Sequence, residues 1–303
     1  MKKKKYEYHY KYPSREKQSV LKKALVLIAL ILVCTALIVY AYVAYTKTGT
    51  IIPTAELFDG RPTISFVDVG QGDCTLITYR GDSVLVDSGP KSYATETADY
   101  VRLYAPNIDY FIVTHPHEDH MGGAEEILKQ THVENLVITD VSVNEEFYKK
   151  ALSRAKKTNT NVIRLSEETS FDTDKGAIHI DILDAFGLDY DGYNDASLIT
   201  KVTVGSTTLL IPGDAEKDEE ALLMWRIPDQ LDSDILKVAH HGSSTSSSEK
   251  FLEAVSPEIC VISCGKNNSY GHPSADVAQR LKDAGAKVYR TDRLGTIVLR
   301  GEK

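Results

Sequence analysis

A strand that runs straight into a cluster of metal-capable side chains constrains this chain more than any other stretch. Phe111, Ile112 and Val113 are apolar and largely β-branched, as in a buried strand, and Thr114-His115-Pro116-His117-Glu118-Asp119-His120-Met121-Gly122-Gly123 follows at once. Three imidazoles and a carboxylate within six residues exceed what a helix cap or solvated turn needs. Imidazoles two apart on an extended turn can converge on one ion, while Asp119 and His120, directed elsewhere, can hold a second. Such a loop needs a rigid framework that ends several strands at one edge.

Other strands end in the same way. Asp87 closes Val84-Leu85-Val86, Asp214 closes Leu209-Leu210-Ile211-Pro212-Gly213, and His240 with His241 closes Ile235-Leu236-Lys237-Val238-Ala239. Alone, Asp214 reads as the N-cap of a helix starting at Ala215. Beside the His-rich loop it reads as part of one polar edge. Periodicity and turn signals predict helices over 96–103, 123–130, 144–156, 248–255 and 274–284. Between them fall strands over 64–69, 74–79, 83–87, 135–139, 161–165, 177–183, 197–204, 207–211, 235–239, 259–263, 287–290 and 296–299. Many strands with helices in both halves give an α/β (α+β) domain of two packed sheets covered by helices.

The chain has 303 residues, enough for one domain and an anchor. Residues 1–23 form a basic arm with nine Lys or Arg against two Glu, and Ala24 to Tyr45 is an uncharged apolar run of 22 residues. At about 1.5 Å per residue that run spans a hydrocarbon core of about 30 Å. It is apolar on every face, and Tyr40, Tyr42 and Tyr45 gather where an interfacial belt would lie. The expectation is an uncleaved transmembrane helix with the basic N-terminus in the cytoplasm, a linker over 46–61, and an extracytoplasmic domain over 62–303. Outside the arm, 26 basic and 41 acidic residues leave a net charge of −15, which works against tight non-specific binding to a polyanion. Cys74, Cys260 and Cys264 make an odd set without metal-ligand spacing, so no disulfide framework is implied.

The ordered motifs FVDVGQGDCTLI (66–77), VLVDSG (84–89), THPHEDHMGG (114–123), NDASLI (194–199), LLIPGD (209–214), LKVAHHGS (236–243), YGHP (270–273) and TDRLG (291–295) resemble the metallo-β-lactamase superfamily. Within it they resemble the outer hydrolase domain of ComEC-type competence proteins. The resemblance covers roughly residues 61–300 and implies a four-layer αββα sandwich with two divalent cations, Zn²⁺ or Mn²⁺, at one edge. It implies His115 and His117 on the first metal, Asp119 and His120 on the second, and Asp214 bridging. The superfamily usually adds a third histidine to the first metal. Here Asn194 stands near that point, and His179, inside an alternating strand, reads as structural.

For the second metal's remaining histidine, strand parity with Leu236 and Val238 selects His240 by a narrow margin, with His241 beside it among the catalytic groups along with Asp119. Asp87 is expected to orient a ligand histidine through its free ring nitrogen. His272 is expected as a general acid or a phosphate contact. Asp73 follows a glycine turn that resembles the superfamily's pocket-floor loop. Ser243 and Ser244 precede a helix capped within Ser246–Ser248, where exposed amides could hold an anion.

The resulting expectation is a membrane-anchored binuclear hydrolase, a phosphodiesterase or nuclease acting through a metal-activated hydroxide. Its substrate would be DNA or a cell-envelope polymer. A lactonase or β-lactamase and a non-catalytic envelope module of competence-related machinery are the alternatives. The module would be expected to lack Asp119, His120 or Asp214, and all three are present.

Overall fold

The computed structural model describes residues 60–183 and 192–301, together with Val33 and Thr35. Apart from Val33 and Thr35, the proposed span Ala24–Tyr45 lies outside the described residues, as does most of the 46–61 linker. Among the described residues, no helix is long and apolar enough to cross a membrane.

Two seven-stranded sheets form the centre. The first contains Thr63–Phe66 (β1), Thr75–Tyr79 (β2), Asp82–Val86 (β3), Asn107–Ile112 (β4), His132–Thr139 (β5), Asn161–Leu165 (β6) and Ile297–Arg300 (β14), in the order β14-β1-β2-β3-β4-β5-β6. The second contains Thr169–Asp172 (β7), Ile178–Leu183 (β8), Ile199–Val204 (β9), Thr207–Ile211 (β10), Ile235–Lys237 (β11), Ile259–Ile262 (β12) and Lys287–Arg290 (β13), in reverse order from β13 to β7.

The period-two alternation of the strands builds the layers. Val84 and Val86 of β3 face the space between the sheets with Ile64, Phe66, Ile180, Val202 and Leu209. Leu85, between them, faces the other way with Leu76 and Phe111. There it meets Ala94–Tyr104 (α1), Ala124–Gln130 (α3) and Glu146–Lys157 (α4) through Val101, Ile127 and Ala151; the short helix Glu118–Met121 is α2. On the second sheet, Leu210, Leu236 and Ile262 pack on Lys217–Arg226 (α5), Glu249–Val255 (α6) and Ala275–Asp283 (α7) through Leu223, Phe251 and Val277. A last turn, Thr291–Leu294, is α8. Helices thus cover both outer faces of two packed sheets, as expected.

The short helices α2 and α8, the helix α5 and the strand β7 fall outside the expected elements. α5 is hidden in sequence because it buries Glu219 and Glu220 as well as Leu223, which masks its apolar stripe. Glu216 caps it in a reciprocal box with Glu219, and Glu220 accepts the amides of Ser247 and Ser248. The helix therefore starts after Asp214, which is not its N-cap. β7 is short, with exposed and half-buried residues alternating, and carries little apolar signal.

Strands β3 to β6 run parallel, as do β10 to β13. Ligands in open α/β sheets gather beyond the carboxyl ends of such strands. Asp87, the His-rich loop, Asp214 and His240–His241 all follow such ends.

Candidate metal centre

The loops after β3 and β4 are laced together before any side chain is considered. Ser88 N–H donates to the His120 carbonyl (2.7 Å), and Gly123 N–H to the Gly89 carbonyl (3.0 Å). A Cβ on Gly123 would collide with the Ser88 carbonyl, so that glycine serves close approach. Asp87 sits at φ 60°, a left-handed conformation that costs a non-glycine residue about 1 kcal/mol or more. Its buried carboxylate accepts Thr114 N–H at 2.8 Å and lies 2.8 Å from His120 Nδ1. A carboxylate there makes Nδ1 the proton-bearing nitrogen and leaves the Nε2 lone pair free. His120 Nε2 lies 3.2 Å from Asp214 Oδ1.

His115 is also fully buried. Its Nδ1 lies 3.1 Å from Thr114 Oγ1 and 3.4 Å from Ser197 Oγ. Its Nε2 is 3.0 Å from His117 Nδ1 and 3.8 Å from Asp214 Oδ2. Asp214 hangs from β10 through Gly213, at φ 59°, where a Cβ would come within 2.9 Å of Ser197 Oγ and Thr114 Cβ.

The parity argument at the end of β11 is corrected. His240 and His241 adopt φ values of 49° and 54°, two successive left-handed residues that break the strand alternation. His241, not His240, turns inward: it is buried, with Nε2 3.2 Å from Asp119 Oδ2 and 3.7 Å from Asp214 Oδ2. Its Nδ1 is 3.1 Å from the Ser263 carbonyl. His240 stays partly exposed, with Nδ1 3.3 Å from Glu216 Oε1 and Nε2 3.7 Å from Asp214 Oδ2.

The remaining expected residues fall around this cluster. A pocket of about 460 Å³ is lined by Gln71, His117, Asp119, Asn194, Tyr270 and His272 among others. Asn194 donates through Nδ2 to Glu216 Oε1 at 3.4 Å, while its Oδ1 is buried without a partner. His272 Nδ1 lies 3.5 Å from Gln71 Nε2. Asp73 is buried, with Lys237 Nζ 2.7 Å from Oδ2 and His241 Nδ1 3.3 Å from Oδ1. Ser243 is outside the pocket lining, its hydroxyl 3.0 Å from Thr245 Oγ1, and the helix cap is Ser248. His179 sits on β8 between Asp172 and Asp181, at 2.8 and 3.1 Å.

The electrostatics are those of carboxylates and imidazoles competing in a dry site. Burial pushes Asp214 up, but the charges of His120 and His241 outweigh it and hold it well below the usual carboxylate range. Burial lowers His120 and His241, yet Asp214 and, respectively, Asp87 and Asp73 lift both, His241 to about 10. His115 goes the other way, lowered by burial and by His120.

The donor set fits divalent cations. One candidate ligand atom each from His115, His120 and Asp214 lies within 4.8 Å of the others, and the same holds for Asp119, His120 and His241. His120 Nε2 and Asp214 Oδ1 are buried without hydrogen-bond partners. Both are acceptors once His120 Nδ1 carries the proton, and a cation between them satisfies both at once. Imidazoles mixed with carboxylates suit Zn²⁺, Mn²⁺ or iron. Sequence reasoning missed Lys237 and Glu216, whose partners lie far along the chain, and the hydroxyls of Thr114 and Ser197. The hydroxyls had a signal, since each adjoins a motif residue.

Comparison with known proteins agrees with this geometry. The chain is 31% identical over 260 residues to ComE operon protein 3 of Bacillus subtilis, covering 78% of this chain and 33% of that protein. It is 29% identical over 248 residues to competence protein ComA of Neisseria gonorrhoeae, covering 79% and 32%. The chain thus matches about a third of the length of each. Among solved structures, Igni18, a metallo hydrolase of Ignicoccus hospitalis, superposes with a TM-score of 0.53 at 18% identity, covering 79% of this chain and all of that one, a likeness of fold. The metallo-beta-lactamase superfamily profile matches residues 67–266. With that match over most of its length, the chain belongs to the metallo-beta-lactamase superfamily.

Proposed function

We propose that this chain is a two-cation hydrolase of phosphodiesters, held at the outer face of a membrane by Ala24–Tyr45. The observation that carries the reading is the buried pair of partnerless acceptors, His120 Nε2 and Asp214 Oδ1, ringed by His115, Asp119 and His241. On that reading His115, His117 and Asn194 would hold one cation, Asp119, His120 and His241 the other, and Asp214 would serve both. Two such cations, Zn²⁺ or Mn²⁺, supply Lewis acidity, acidify a water and stabilise charge on a leaving oxygen.

The chain's own groups orient the substrate and exclude alternatives. Burial, with His241 and His240 nearby, holds His272 below its ordinary value, so at neutral pH it is an unprotonated imidazole. That suits a hydrogen bond to a phosphoryl oxygen from the pocket wall better than a stored proton for the leaving group. Glu216, 3.3 Å from His240 Nδ1, keeps that ring turned to the rim. The similarity to competence proteins supports a phosphodiester, either DNA or a cell-envelope polymer. The net charge of −15 outside the basic arm favours a short or local contact over tight binding along a polyanion.

Elemental analysis of the detergent-purified full chain, with parallel assays on a bis-aryl phosphate and a lactone, tests the reading. About two cations per chain and phosphate turnover lost in Asp119→Ala are expected. Turnover of the lactone alone would move the chemistry to acyl transfer. A metal-replete chain without cations, or equal phosphodiesterase rates for the two proteins, would end the proposal.

A further inference from the structure

Lys237 is fully buried at the end of β11, in a strand whose other residues are apolar. Its ammonium lies 2.7 Å from Asp73 Oδ2 and donates to the Val238 carbonyl at 2.9 Å. A buried ion pair is poor value for stability, since apolar residues of similar volume often serve as well or better. The position of this pair points to a different use. Asp73 Oδ1 and the Ser263 carbonyl both face His241 Nδ1, at 3.3 and 3.1 Å. The Ser263 carbonyl is the hydrogen-bond acceptor at Nδ1 and the Asp73 carboxylate faces the same nitrogen at ion-pair distance, so Nδ1 carries the proton and Nε2 is left toward Asp119 and Asp214. The Asp73 main chain ties the same site together, with N–H on the Asp119 carbonyl (3.1 Å) and C=O accepting Gly89 N–H (2.7 Å).

We infer that Lys237 and Asp73 are positioning residues: the ammonium fixes the Asp73 carboxylate, which holds the His241 ring in the tautomer and direction that present Nε2 to a cation. The inference rests on the two-cation reading. Asp73 then stands behind His241 by charge, beside the Ser263 carbonyl, as Asp87 stands behind His120 by a hydrogen bond, and the ammonium of Lys237 takes at Asp73 the place that Thr114 N–H and Oγ1 take at Asp87. A carboxylate behind a ligand histidine also strengthens its free nitrogen as a donor, and losing such a partner typically weakens a metal about 10–100-fold.

The test is a Co²⁺ titration of the metal-free full chain, followed by ligand-field absorption, with far-UV circular dichroism as a check on folding. Asp73→Asn combined with Lys237→Met removes one negative and one positive charge, so the net charge of the cluster is unchanged. The variant is expected to fold and to bind the cation at His241 about 10–100-fold more weakly, with altered absorption bands, while the other cation binds as in wild type. Asp73→Asn alone, nearly isosteric, gives the same reading if the double variant does not fold. Wild-type affinity and bands for both Co²⁺ ions in the folded variant would overturn the inference and leave the two-cation reading standing. A wild-type chain that binds no Co²⁺ would overturn both.

Discussion

His120 and His241 each have a buried carboxylate behind the ring, Asp87 at 2.8 Å and Asp73 at 3.3 Å, whereas His115 has only hydroxyls, Thr114 Oγ1 at 3.1 Å and Ser197 Oγ at 3.4 Å. His117 is half-exposed, and where the superfamily usually has a third histidine this half has the Asn194 amide. The two halves share Asp214, yet the rings of one have carboxylates behind them, with the Ser263 carbonyl added at His241, and His115 in the other has hydroxyls alone. A hydroxyl sets the direction of a ring; a carboxylate also raises the donor strength of its far nitrogen. On the two-cation reading proposed above, the Asp119–His120–His241 half is expected to be the tight one, and the His115–His117–Asn194 half the one where a cation exchanges.

Removing the shared element has the largest expected effect. Asp214→Ala should strip both cations and all turnover, read by elemental analysis; a variant that keeps one firmly held ion would show that the halves are independent. Next comes pH, to which the metal-free halves respond in opposite senses. The folded-state value of His241 is raised from 6.5 to about 10, so its contribution to stability is complete below pH 6.5 and is lost as pH rises toward 10. His115 is depressed, so its contribution holds above pH 6.5 and is lost as pH falls below it. Denaturant melts of the metal-free chain should weaken by at least about 2 kcal/mol between pH 6.5 and 8.5, since the raised His120 adds to His241 in the same direction, below the range where the buried thiols intervene. Bound cations replace those protons, and the metal-loaded chain should show little of this slope.

Asp87→Asn should weaken the tight half about 10–100-fold in a competitive chelator titration. In wild type, the same titration should release the two ions in separate steps at least about tenfold apart. Coincident release would erase the distinction between the halves. The smallest effect belongs to Ser197→Ala, about 2–10-fold for each of the two hydrogen bonds lost, one toward His115 Nδ1 and one accepted from Asp214 N–H.

Much of this arrangement could be read from residue order. The THPHEDH loop, Asp87 and Asp214 each follow an apolar strand directly, so burying the strand carries the polar residue to the sheet edge. His241 was not legible in that way, because two successive left-handed residues reverse the parity that favours His240, and backbone handedness there leaves no mark in residue type. The Lys237–Asp73 pair was hidden for another reason: an ammonium in a β-strand reads as an exposed position, and its partner lies in a different sheet's loop. α5 shows in the sequence only as the helix that Asp214 taken alone would cap, because Glu219 and Glu220 are buried by capping and amide contacts while the periodicity argument counts only apolar residues. The apolar run 24–45 has the strongest signal in the chain and stands on its own hydropathy.

The pairing of β1 with β14 has a consequence for how the molecule comes into being. Thr63 stands opposite Arg300 and Phe66 opposite Ile297, and Asp68 N–H donates to Thr296 Oγ1 at 3.0 Å across 228 residues. Every residue of the cation cluster lies in the chain between those two strands. During synthesis the first sheet keeps one open flank until the last strand emerges, and closing so long a loop makes for slow, non-local folding. The loops around Asp73 and Asp87 follow strands of that sheet, so they gain their full support only when residues 297–300 dock. On the two-cation reading, those loops would be fully supported for a cation only once β14 has paired with β1.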